Sequence, residues 1–158
     1  MRITKDFVFF ITGGASGLGE AAAREIHTHG GRIAIADMNE ERLEMLKNEL
    51  KERIVTFKVD VTKEEDVKKA IEGTVAAFGA VHCALACAGI APASLTMSSK
   101  GGLDIAMFKK TMDINVYGSI YVAKYAAIAM SKNQPNEKGE KGVILFVSSV
   151  AAEEGQRG

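Results

Sequence analysis

The segment Thr12-Gly-Gly-Ala-Ser-Gly-Leu-Gly19 has side-chain-free positions at Gly13, Gly17 and Gly19, a spacing that lets a backbone turn tightly and bring its amides against a phosphate. It lies between the apolar run 6–12 and a helix-forming stretch, so free amides and the positive end of a helix dipole would face an anion. Ser16 adds a hydroxyl donor. A glycine-rich turn that holds no ligand is the alternative. Asp37 closes the next apolar run, where a dinucleotide fold places a carboxylate that accepts hydrogen bonds from the adenosine ribose. A 2′-phosphate would meet like charge there, and neither Ala15, Ser16 nor Met38 supplies a cation, so the pattern selects NAD. Taken alone, Asp37 reads equally as a solvated strand end or a cap for the following helix. Asp60-Val61 ends a third apolar run, where Asp60 can bond an adenine amino group.

Short β-rich runs alternating with helical stretches must hold these residues. Residues 6–12, 32–37, 54–59, 82–88 and 143–147 read as five strands buried in a sheet. Between them, 18–29 favours helix and stops at Gly30-Gly31, and Asn39 caps a charged helix with Leu43, Leu46 and Leu50 at helical spacing. Thr62-Lys-Glu-Glu65 fits a capping box opening a third helix with Val67, Ile71, Val75 and Phe78 on one stripe, which Gly79 ends. After a Ser/Thr/Gly-rich loop at 90–102, one long helix is expected from about Asp104 to Lys132, then a polar connection at 133–142. Parallel strands joined by crossover helices predict a Rossmann-type α/β fold, a doubly wound parallel sheet in the order 3-2-1-4-5, forming one domain over residues 1–158.

Thr12-Gly-Xaa-Xaa-Xaa-Gly-Xaa-Gly19, followed by Asp37, Asp60, Ala88-Gly89, Asn115 and Ser148-Ser149, resembles the short-chain dehydrogenase/reductase family along the whole chain. The resemblance implies an oxidoreductase. It assigns the loop with Thr12, Gly13, Ser16, Gly17, Leu18 and Gly19 to the pyrophosphate, Asp37 to the ribose, and Asp60 and Val61 to adenine. Cys87, Ala88 and Gly89 would flank the NAD cofactor. Ser149 would be the catalytic serine on the substrate oxygen, and Asn115 the mid-helix asparagine supporting a proton relay. Without the family, Asn115 reads as an exposed helix residue and Ser148-Ser149 as a cap for the next turn.

Within the family, Cys87-Ala-Gly-Ile-Ala91, the polar insert 133–142 and Ser149-Val-Ala-Ala-Glu-Glu-Gly-Gln156 are similar to the type 2 3-hydroxyacyl-CoA dehydrogenases. A secondary alcohol or hydroxyacyl-CoA substrate and a homo-oligomer, dimer or tetramer, are then implied. Ala86 departs from the asparagine most of the family carries there. The family's catalytic tyrosine and lysine would fall beyond Gly158, so the 158 residues alone are expected to lack the base and to be inactive, and the sheet is expected to be cut short on its C-terminal side. A rival from another class is a non-catalytic dinucleotide-binding or interaction subunit.

The 158 residues are 47% hydrophobic and 25% charged, which suits a globular domain. Lys+Arg 20 against Asp+Glu 20 leaves no net positive field to gather nucleic acid or anionic membrane, and no apolar run approaches the roughly 18 residues of a span. No nucleic-acid or membrane partner is expected. Cys83 and Cys87 form no metal-ligand set with a second pair, so no metal is expected and both read as small buried hydrophobes. His27, His29 and His82 are too scattered for a triad. Met107, Phe108, Met112, Tyr117, Tyr121 and Tyr125 read as packing against the sheet or a partner helix. With no leader visible, the expected compartment is the cytoplasm, and the resemblance allows the mitochondrial matrix.

Overall fold

The computed structural model describes residues 3–99 and 101–156, so Met1-Arg2, which the sequence leads straight into the first strand, lie outside the described residues. Strands β1 (Val8–Thr12), β2 (Arg32–Asp37), β3 (Ile54–Lys58), β4 (Cys83–Ala86) and β7 (Val143–Phe146) form one parallel sheet ordered β3-β2-β1-β4-β7, the topology expected from the alternating pattern. Side chains alternate across it. Phe10, Ala34, Ala36 and Ala84 face one layer, with Val67, Ile71, Val122 and Met130; Phe9, Ile11, Ile33 and Ile35 face the other, with Ala23, Ile26, Leu43 and Leu46. Helices α1 (Gly17–Thr28) and α2 (Glu40–Leu50) thus cover one side of the sheet, and α3 (Glu64–Phe78) and α5 (Gly118–Met130) the other.

Strand register fixes the edge where chemistry can gather. Phe57, Ala36, Thr12, Ala86 and Phe146 lie in one row across the five strands. Just past that row come Val59-Asp60-Val61, Asp37, the glycine loop, Cys87-Ala88-Gly89 and Val147-Ser148-Ser149, all at the carboxyl end of a parallel sheet, where open α/β folds place their ligands.

Several local readings need correction. The capping box does not form: α3 begins at Glu64 after Lys63, because the Thr62 hydroxyl donates instead to Asp60 Oδ1 at 2.7 Å, a bond made two residues back. Asn39 does cap α2, accepting from Arg42 N at 3.0 Å. The expected loop at 90–102 contains a small antiparallel hairpin, β5 (Met97–Ser98) with β6 (Gly101–Gly102). The long helix has two α segments, α4 (Ile105–Met112) and α5, joined by a π-helical turn at Asp113–Tyr117. Asp104 caps α4 through bonds from Ala106 N and Met107 N. Strand β7 is not buried as its composition suggests: it pairs only with β4 among the described residues, and Leu145 and Phe146 are 47% and 56% exposed. A one-turn helix, α6 (Ala151–Glu154), follows it. Tyr121 and Tyr125 pack on the core, but Met107, Phe108, Met112 and Tyr117 are exposed.

Candidate functional site

A cleft of about 350 Å³ opens at the carboxyl edge of β1–β4, lined by Gly13, Ser16–Gly19, Asp37, Met38, Asp60, Val61 and Cys87–Ile90, with Ala36, Val59 and Ile114 at its floor and wall. It gathers every residue assigned to the cofactor except Thr12, which is buried one position before the loop and accepts at its carbonyl from Cys87 N at 3.1 Å. Residues from four strand ends meet there because their strands share the row described above.

The glycines shape this cleft by different means. Gly13 has φ +64, and a Cβ there would lie 2.7 Å from Ala88 N, so two strand-end loops touch through bare backbone. At Gly19 a Cβ would overlap the Gly13 carbonyl, so any side chain would push α1 off the loop. The first intrahelical bond of α1 runs from Glu20 N to Ser16 O, and Ser16's side chain does not cap the helix. The amides of Gly17, Leu18 and Gly19 therefore precede the hydrogen-bonded ladder, and helix termini of this kind present donors and positive dipole to an anion. Leu18, 70% exposed on the cleft wall, leaves an apolar contact for a ligand. The cradle fits a pyrophosphate.

Both carboxylates of the cleft are already oriented by backbone. Asp37 Oδ2 accepts from Ala15 N at 3.1 Å and Oδ1 from Asn39 N at 3.0 Å, so Asp37 ties the end of β2 to the glycine loop. Asp60 Oδ1 accepts from the Thr62 amide at 3.1 Å as well as its hydroxyl. Burial alone would raise the Asp60 carboxyl, but the Thr62 bonds and Lys63 outweigh it and hold the group below its ordinary range, ready to accept a further hydrogen bond. Of the described residues lining the cleft, none is cationic.

Asn115 sits in the π turn and clamps the far wall: its Nδ2 donates to Ile90 O at 2.8 Å and its Oδ1 accepts from Ile90 N at 3.0 Å. Those two bonds fix the chain just after Gly89, and the Asn115 carbonyl in turn accepts from Ser119 Oγ at 2.8 Å. π turns recur at functional positions because they re-aim one side chain within a helix. Ser149 lies exposed beyond β7, and its Oγ accepts from Ala151 N at 3.2 Å, the capping role that its sequence context also allowed. Asn115 and Ser149 do not line the cleft; Asn115 reaches it through Ile90. Burial raises the thiol pKa of Cys83 to about 11 and also pushes Cys87 up. No cluster of metal-ligating side chains occurs among the described residues, and no helix there is long and apolar enough to cross a membrane.

Two charged residues near the loop escape a reading based on spacing. Arg42 Nε donates to Ala15 O at 3.4 Å, and its Nη2 reaches Glu20 Oε2 at 2.6 Å. Arg42 lies in the charged helix that Asn39 caps, and only the packing of α2 beside the loop exposes the contact.

The family described as short chain dehydrogenase matches residues 8–158. Human 3-hydroxyacyl-CoA dehydrogenase type-2 is 38% identical over 99% of this chain and 61% of its own length. Ipsdienol dehydrogenase of Ips pini is 34% identical over 93% of this chain and 58% of its own. The crystal structure of 3-hydroxyacyl-CoA dehydrogenase type-2 from Mycobacterium avium superposes with TM-score 0.91 at 32% identity, covering 100% of this chain and 63% of that one. The chain thus spans about three fifths of the length of the curated relatives it matches.

Proposed function

The chain belongs to the short chain dehydrogenase family, an oxidoreductase family, and from that premise we propose that it forms the dinucleotide-binding part of an NAD-dependent dehydrogenase acting on a secondary alcohol, with a 3-hydroxyacyl-CoA as the favoured substrate. The observation that carries this reading is the cleft: an amide-rich helix start, two fixed carboxylates and no lining cation among the described residues. When bound, NAD would supply the hydride acceptor. The chain's own residues would hold the pyrophosphate on the amides at Gly17–Gly19 and the ribose on Asp37, while Ser149 Oγ, free to donate while it accepts from Ala151, would orient the alcohol oxygen.

No tyrosine lines the cleft among the described residues, and the Tyr125 hydroxyl is committed to Glu64 at 2.9 Å. On this reading the 158 residues alone bind dinucleotide without turning over 3-hydroxybutyryl-CoA. A homo-oligomer fits the outward apolar side chains Ile105, Phe108, Met112 and Ile120, which a second copy would cover. Cytoplasm or mitochondrial matrix is the proposed compartment.

Titration calorimetry with NAD and NADP tests the reading. NAD should bind more tightly, and Asp37→Ala should erode the preference by about tenfold, the scale of lost charge-assisted hydrogen bonds. Tighter NADP binding by the unmodified chain would refute the role given to Asp37. Robust NADH production from the 158 residues would refute the missing base.

A further inference from the structure

Both backbone polar groups of Ala15 are held by charge. Its N–H donates to Asp37 Oδ2 at 3.1 Å, and its carbonyl accepts from Arg42 Nε at 3.4 Å. A guanidinium therefore stands one peptide away from the carboxylate that meets the ribose, close to where the phosphate of a phosphorylated dinucleotide would need a cation. Yet Arg42 does not line the cleft. Its Nη2 is bonded to Glu20 Oε2 at 2.6 Å, and the Glu20 side chain is only 16% exposed while that of Arg42 is 38% exposed. The other oxygen of Glu20 takes Arg24, which also pairs with Glu49 on α2. Glu20 is thus the shared acceptor of two arginines at the start of α1, and the Arg42 bond foremost holds its carboxyl below the ordinary range, against the opposing effect of burial.

We propose that Glu20 is a specificity-determining residue: by retaining Arg42 on the outer side of the glycine loop, it withholds from the cleft a nearby cation that could accept a 2′-phosphate. Dinucleotide choice then rests on two carboxylates. Asp37 repels the phosphate directly, and Glu20 neutralises the arginine that would compensate, because a charge paired at hydrogen-bond distance exerts little field beyond its partner. Arg42 lies across Ala15 from the Asp37 carboxylate, and once its Glu20 bond is broken the side-chain hydrogen bond left to its guanidinium among the described residues is the long one to the Ala15 carbonyl at 3.4 Å.

The inference rests on the NAD reading of the cleft, and the experiment separates the two. NAD and NADP affinities are measured by calorimetry for Asp37→Ser, Asp37→Ser/Glu20→Gln and Asp37→Ser/Glu20→Gln/Arg42→Gln, with folding checked by circular dichroism. Adding Glu20→Gln should raise the NADP-to-NAD affinity ratio about tenfold, the scale of a new guanidinium–phosphate contact, and Arg42→Gln should remove that gain. The ratio is the readout because a merely structural loosening of the loop weakens both dinucleotides alike. An unchanged ratio, or a gain that survives Arg42→Gln, overturns the role of Glu20 while NAD binding leaves the cleft reading standing. Failure of the unmodified chain to bind either dinucleotide overturns both. Glu20→Ala serves as the second variant, and unfolding of both Glu20 variants would make Glu20 a stability residue and overturn the inference.

Discussion

The two ends of the sheet differ in how far their polar and apolar groups are satisfied locally. On the β3-β2-β1 side, β1 is buried throughout, Asp37 and Asp60 are bonded to neighbouring amides, and Arg42 of α2 meets Glu20 of α1 beside the glycine loop. On the β4-β7 side, Leu145, Phe146 and Val147 are exposed, Ser149 bonds its own following turn, and the Asn115 clamp on Ile90 joins the packing of Val122 and Met130 on the sheet in holding the helical layer. The difference teaches that the β3-β2-β1 half satisfies its polar groups by bonds between its own elements, such as Ala15 to Asp37 across 22 residues, whereas the β4-β7 half leaves open apolar surface of the kind that another protein surface covers.

The sharpest way to break this comparison is at Gly13. Gly13→Val places a branched side chain at φ +64 and against the Ala88 backbone, so it should lower unfolding free energy by about 3 kcal/mol or more and abolish NAD binding. Urea denaturation with calorimetry reads both. A variant of near wild-type stability would mean that the two loops do not meet as closely as described.

Asn115→Ala comes next, because it removes both bonds to Ile90 and leaves two partly buried backbone groups without partners. A loss of about 2 kcal/mol is expected, with NAD affinity falling as the Cys87–Ile90 wall loosens. An unchanged denaturation midpoint would show that the far wall is held by other means.

Phe146→Ser should have the smallest effect on stability, within about 0.5 kcal/mol, since its side chain is 56% exposed and creates no cavity when removed. What it should change is self-association at micromolar concentration, followed by sedimentation velocity. A large destabilisation would place Phe146 in the core and erase the contrast between the two sides.

The contrast also explains what the sequence disclosed. Strand order, the glycine loop, Asp37 and Asp60 were legible because apolar runs, turn residues and carboxylates follow one another within single βα units. The Thr62 cap was misread because Asp60, two residues back, competes for its hydroxyl. The Arg42 hold on Ala15 spans two elements and leaves no periodic mark. Asn115 was legible as a family position, but its grip on Ile90 was not, since it depends on where a π turn aims one amide. The exposure of β7 was hidden for a related reason: an apolar run reports that cover is wanted, not that it is present.

The π turn at Asp113–Tyr117 also sets a phase. At about 100° per residue, an uninterrupted α-helix would bring Phe108 and Met112 within about 60° of the line through Gly118, Val122, Ala126 and Met130, which faces the sheet. The wider turn carries one residue more than an α turn needs and so rotates everything before it. Phe108 and Met112 are accordingly exposed, as is Ile120. A single surplus residue thus works as an index that assigns one stretch of helix to the interior and the preceding stretch to the exterior. Removing one residue between 113 and 117 would swing α4 by nearly a third of a revolution, turn its large apolar side chains toward the sheet and take Asn115 away from Ile90 at the same stroke.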